Sequence, residues 1–308
     1  MSAGPYAGIA LALLATTAYN VGLIQEKRAL GRMAALDLRR VPHVIASLLT
    51  DPAWLAGFAL MLVGLACQTI VLTFEPVSLV QPVLASGVAL VLVLSRLVLR
   101  ERLGAVELRC VAAMAVCVIL LAASSGGTGT RAGHHASPGW MAAVAIPSAL
   151  IGLLVAASPL RSRSAGDRAP VCFGVGTGLL YGVAALGIKG LSGILSGGSV
   201  LTGVVSSPYL YMFAASSAAA MLLYQVGLQS CRAAILVPVA TVAGSVYFLV
   251  AGTWLFREQL PSAPVGLVLR LAAILVAGLV IVTLSRQEPD PGDIGPGPAT
   301  VPGYAGRQ

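Results

Sequence analysis

The chain has 308 residues, of which 57% are hydrophobic and only 10% charged, and its mean hydropathy is +0.91. A soluble domain carries about 25% charged residues, so a water-soluble globule is excluded; no sustained apolar–polar alternation runs along the chain, which excludes a β-barrel. The net charge of +8 belongs to connecting loops rather than to a nucleic-acid surface, because no basic stripe carries interleaved aromatics.

Nine apolar segments follow in chain order, near 6–24, 52–74, 78–98, 106–124, 139–158, 171–192, 209–230, 235–256 and 264–284. Each is close to the ~20 residues that cross a hydrocarbon core, so the fold class is an all-α polytopic membrane bundle. The first segment has no positive charge ahead of it and a basic cluster behind it, which suits a retained helix with its N-terminus outside. Between Glu26 and Asp51, short apolar pieces broken by Arg39, Arg40 and Pro42 predict an amphipathic helix lying on the membrane surface. Residues 124–139, SSGGTGTRAGHHASPG, predict an outer loop with His134 and His135 in solvent. The Pro/Gly-rich sequence from Glu288 predicts a disordered tail. Five cysteines without a CxxC pair read as small buried hydrophobes, so neither a metal site nor a cofactor is expected.

With the N-terminus outside, the predicted inner loops and tail hold 13 Lys and Arg and the outer loops hold 2, Arg131 and Arg257. This bias predicts a multi-pass protein of the plasma membrane, with its C-terminus cytoplasmic and an odd number of spans.

The chain also repeats itself. Pro82 answers to Pro238, a shift of 156; Gln68 answers to Gln225, and Arg100-Glu101-Arg102-Leu103 to Arg257-Glu258-Gln259-Leu260, both shifts of 157. These landmarks pair the second, third and fourth segments with the seventh, eighth and ninth, and the first with the sixth. Five crossings separate each pair, so the two units are inverted, the architecture of secondary transporters that open alternately to each side. The predicted organisation is a first repeat over 1–124, a linker helix with its loops over 125–169, a second repeat over 170–286 and a tail over 287–308.

Trp54–Gln68, PVSLVQP…RERL and Gln225–Leu260 resemble the drug/metabolite transporter superfamily of the EamA-like type. The four-plus-five helix arrangement is similar to the NIPA-like magnesium transporter branch. The resemblance implies two inverted halves around a central cavity and leaves the solute open.

Intramembrane polar groups are the candidates for the site. Glu75, Glu101, Glu107 and Glu258 fall at span ends or in loops and no carboxylate is expected mid-span, which counts against Mg²⁺, an ion that favours carboxylate oxygens. Lys189 and Arg270 lie within spans; each either snorkels to the headgroups or clamps an anionic solute. Gln68 and Gln225 occupy equivalent places, to bind substrate or to bond neighbouring helices. Gln81 stands beside Pro82, and Pro82 and Pro238 each free a carbonyl for a ligand or a bend. Asn20, Tyr181 and Tyr224 are weaker candidates. Gly174, Gly178 and Gly182, four apart, predict close helix packing, with a homodimer seam as the alternative.

The expectation is therefore a transporter of a small metabolite or amphiphile, anionic if Lys189 and Arg270 bind it. A NIPA-like Mg²⁺ transporter and a non-transporting scaffold for envelope assembly are the alternatives. An enzyme is not expected: the three histidines all lie outside the spans, and no nucleophile–base pair falls in a common cavity.

Overall fold

The computed structural model describes residues 5–36, 40–74, 87, 89–101, 104–124, 137–161, 168–195, 205–256 and 264–285. Among the described residues the regular structure is helical: α1 (Pro5–Leu30), α2 (Val41–Thr50), α3 (Pro52–Phe74), α4 (89–97), α5 (Ala105–Ser124), α6 (Pro138–Arg161), α7 (Ala169–Leu195), α8 (Pro208–Ser230), α9 (Ala233–Leu255) and α10 (Pro264–Ser285). Five of them (α6 to α10) are long and apolar enough to cross a membrane, and α2 with α3 makes a sixth if that bent pair is one span. The first part of the third expected span, with Gln81 and Pro82, lies outside the described residues, as do Arg257–Leu260, His134, His135 and the tail.

Local chemistry sets the helix starts. Proline opens α1, α3, α6, α8 and α10, where its fixed φ suits the first turn and its missing N–H is no loss. Ahead of α3, Asp51 Oδ1 accepts from the Trp54 backbone N–H at 2.7 Å; ahead of α8, the Ser207 hydroxyl accepts from the Tyr209 N–H at 3.2 Å. Both are side-chain N-caps. Helix α2 meets α3 at 85°. Its buried residues are Val44 and Leu48, four apart on one face, the amphipathic character expected of this connection.

The helices pack in close pairs. A Cβ on Gly22 of α1 would lie 2.5 Å from the Gly57 carbonyl oxygen of α3, and one on Gly178 of α7 would lie 2.6 Å from the Ala240 oxygen of α9. Such backbone approach is open only to glycine. One core joins α1, α3 and α4 to α7, α8 and α9 through Leu23, Trp54, Val91, Phe173, Leu228 and Leu236. A second lies between α5 and α10 with α9 beside it, and a third closes α6 to α9 around Met141, Leu186 and Tyr209. The end of α1 meets the end of α8 and the starts of α3 and α9, so Lys27, Arg100 and Arg232 gather at one end of the bundle. Trp140 and Trp254 meet edge to face at 5.7 Å near the third core, each 62% exposed, as aromatics at a membrane interface are.

Candidate functional site

The site forms where α1 outruns its apolar sequence. The first apolar run ends at Ile24, but the helix continues through Glu26-Lys27-Arg28 to Leu30, and its buried stripe continues with it: Leu23, Glu26 and Leu30 all face the core. The last turns of α8 cover that stripe. Glu26 is 1% exposed. Its Oε2 accepts a hydrogen bond from Gln225 Nε2 at 2.7 Å, and Gln225 Oε1 accepts from Trp54 Nε1 at 3.2 Å. Trp54 is itself fixed by its N-cap and by stacking on Phe58 at 5.0 Å. The other carboxylate oxygen, Oε1, is buried with no hydrogen-bond partner. The sequence expectation named no buried carboxylate, and Glu26, two residues past the first apolar run, is one. A charged triplet after an apolar run reads as a loop, yet the docking of α8 buries its first member.

Tyr19, Tyr181 and Tyr224 lie within electrostatic reach of Glu26, the last two meeting edge to face at 6.1 Å. Asn20 is buried nearly two turns back from Glu26 on α1, donating to the Thr16 carbonyl at 2.7 Å. A buried carboxylate with one satisfied oxygen costs several kcal/mol when ionised, and such a cost within a bundle marks a functional group.

Beside this cluster the two halves are tied together. Lys27 Nζ donates to the Leu228 carbonyl at 2.8 Å and to the Cys231 carbonyl, and lies 3.5 Å from Glu101 Oε1. Glu101 in turn accepts from the Ala233 and Ala234 N–H groups at 2.9 and 3.1 Å, at the start of α9. Gln229 donates to the carbonyls of Leu30 and Ala34, both at 3.0 Å, and its Oε1 accepts from the Leu36 N–H at 2.8 Å.

Of the residues singled out from sequence, Gln225 sits at the centre of the cluster, with Tyr181 and Tyr224 near it. Gln68 is half-buried on α3, fourteen residues beyond Trp54 and so about 21 Å along the helix. Lys189 stands over the rings of Phe256 and Phe248, at 4.8 and 5.7 Å from their centroids, beside the third core. Arg270 is 6% exposed, its Nε without a partner. It begins the buried stripe of α10 that continues through Ala273 and Ala277 and faces α5, where Cys117 Sγ donates to the Ala273 carbonyl at 3.1 Å. Pro238 is buried in the second turn of α9. Gly174, Gly178 and Gly182 lie against Val239, Gly244 and Tyr247 of α9. Sequence reasoning missed Glu26, Trp54, Lys27 and Gln229; the i, i+3, i+7 spacing of Leu23, Glu26 and Leu30 was the signal for Glu26.

Among the described residues no three His, Cys, Asp or Glu side chains converge, so the cluster offers one carboxylate oxygen with amide and phenol groups around it. That is chemistry for a cation that keeps much of its own water.

Residues 4–288 match the family model described as Magnesium transporter NIPA. The chain is 27% identical over 298 residues to "Probable magnesium transporter NIPA9" of Arabidopsis thaliana, covering 90% of this chain and 82% of that protein. It is 24% identical over 293 residues to a "Probable magnesium transporter" of Candida albicans, covering 92% and 79%. No solved structure matches the chain. With an apolar helical bundle and a sequence match along nearly its whole length, this chain belongs to the NIPA magnesium transporter family, a family of membrane transporters.

Proposed function

We propose that this chain carries Mg²⁺ across the plasma membrane by alternating access, with Glu26 as the carboxylate that meets the ion. The observation that carries the reading is Glu26 Oε1, a buried carboxylate oxygen with no partner, held between α1 and α8. Mg²⁺ sheds water reluctantly and is bound through one or two carboxylates with several waters retained. Gln225 orients the carboxylate, and the phenols of Tyr19, Tyr181 and Tyr224 hydrogen-bond the water shell. The names of the relatives support this cargo over a metabolite or an amphiphile, and Glu26 supplies a buried carboxylate of the kind Mg²⁺ favours. Gln68, Lys189 and Arg270 belong to the far half of the pathway, where the cationic pair keeps the divalent ion from resting.

The architecture proposed with it is nine spans in two inverted halves, four plus a linker plus four, with the N-terminus outside. The packing supports it: α1 with α3 and α7 with α8 are equivalent pairs, and Gly87 and Gly244, 157 apart, lie against α1 and α7 respectively. Purified protein in vesicles loaded with a Mg²⁺-sensitive dye tests the function. Wild type is expected to admit Mg²⁺ down a gradient, and Glu26→Gln to lose that flux while remaining folded. Vesicles that pass a metabolite but no Mg²⁺ would return the cargo to the metabolite reading.

A further inference from the structure

We infer that Glu101 and the carbonyls of Leu228 and Cys231 form a second cation station, occupied in this state by the Lys27 ammonium and taken by a divalent cation in exchange. The inference rests on the reading of the chain as a Mg²⁺ carrier and adds a site to it.

The chemistry around Nζ carries the argument. The last carbonyls of α8 lack partners within the helix and bear the negative end of its dipole. Two carbonyl oxygens of this helix end, those of Leu228 and Cys231, converge with Glu101 Oε1 on one point. Oxygens of this kind, at helix C-terminal ends, are what transporters use to hold small cations, and three of them leave positions for retained water. The cation now present is an ammonium tethered to α1.

Glu101 stays in place without it. The end of α4 is closed by the Glu101 N–H bonding to the Ser95 carbonyl at 3.1 Å, with Arg100 in the left-handed region at φ 55°, and both Glu101 oxygens are held by N–H groups of α9. Gln225 and Leu228 are three residues apart on α8, about 4.5 Å of rise. The station is therefore the next step from Glu26 toward the basic end of the bundle. The side chains of Lys27 and Glu101 are 14% and 8% exposed, so solvent reaches the station while Glu26 is sealed. An ion that displaces Lys27 also removes one of the ties of α1 to the end of α8, beside those of Gln225 and Gln229, and so weakens the closure of that end.

Mn²⁺ counted by electron paramagnetic resonance on the purified full chain tests this. Lys27→Met, which keeps most of the length of the side chain and removes the competing charge, is expected to fill the station at a severalfold lower free Mn²⁺ than wild type, and the double variant K27M/E101Q to lose that ion. Adding Glu26→Gln separates the two sites. If Glu26 holds no ion, the count does not fall with E26Q, yet the gain from K27M persists. A station that fills at the same Mn²⁺ concentration in K27M as in wild type, or an ion that survives E101Q, overturns the second station. A variant-free readout stands beside it: Mg²⁺, against choline at equal ionic strength, should raise acetylation of Lys27 severalfold and leave Lys189 unchanged. A Lys27 rate indifferent to Mg²⁺ refutes the exchange.

Discussion

At the scale of single residues, Gln225 is the hinge of the site, because it accepts from Trp54 and donates to Glu26. Hydrogen bonds to charged groups contribute about 1.5–3 kcal/mol. Gln225→Leu strands both neighbours and is expected to lower stability by an amount of that order, read as an earlier thermal unfolding in detergent. Glu26→Gln behaves differently. Its amide oxygen still accepts from Gln225, so unfolding should stay near wild type while Mg²⁺ flux disappears. Equal unfolding temperatures for Q225L and wild type would show that the bond chain is not formed in the working protein. The two residues also differ in how far the sequence reveals them. Gln225 is visible as the repeat partner of Gln68, in the middle of an apolar run. Glu26 sits between Gln25 and Lys27, and hydropathy alone assigns such a triplet to water. Its burial comes from a helix about 200 residues away in sequence, a tertiary effect that no local window contains.

At the scale of elements, length and proline placement carry most of the information. Helices α3 and α5 to α10 fall within a few residues of their apolar runs; proline at the first turn fixes the starts of α3, α6, α8 and α10, and side-chain caps those of α3 and α8. Only α1 is extended well beyond its apolar run, by the docking described above. The glycine positions are legible as a stripe, but not the partner they meet; that requires knowing that α7 lies on α9. The consequence is testable. A Cβ at Gly178 falls 2.6 Å from a backbone oxygen and 2.8 Å from the Ala243 Cβ, so neither neighbour yields by rotating a side chain. Overpacking of this kind costs about 1–3 kcal/mol. Gly178→Val should therefore lower the thermal midpoint clearly, whereas Gly278→Val, at a glycine with nothing within 4 Å, should change it little. If the two variants unfold alike, the α7–α9 contact is looser than the structure has it.

At the scale of the whole molecule, the two halves meet through polar ties at one end. Lys27, Glu101, Gln229 and the ends of α8 and α9 form those ties, and Phe173, at the start of α7, lies against Gly227 of α8 beside them. The chain ends of α1, α4, α7, α8 and α9 that carry Lys27, Arg100, Arg168 and Arg232 therefore share one side, whichever side of the membrane that is. The proposed inverted repeat requires it, since five crossings between partners would turn each unit over, and the charge bias predicts that this side is cytoplasmic. Substituted cysteines at Arg100 and Arg168, in a chain with its five native cysteines replaced, should react with an impermeant thiol reagent only after the cytoplasmic face is exposed. A cysteine at Ser137, ahead of α6, should react from outside in intact cells. Labelling of Arg100 and Arg168 from opposite faces would falsify the inverted arrangement. A carrier that opens first at one end and then at the other would lose its structural basis with it, because the ties at Lys27 and Glu101 would no longer close a single mouth.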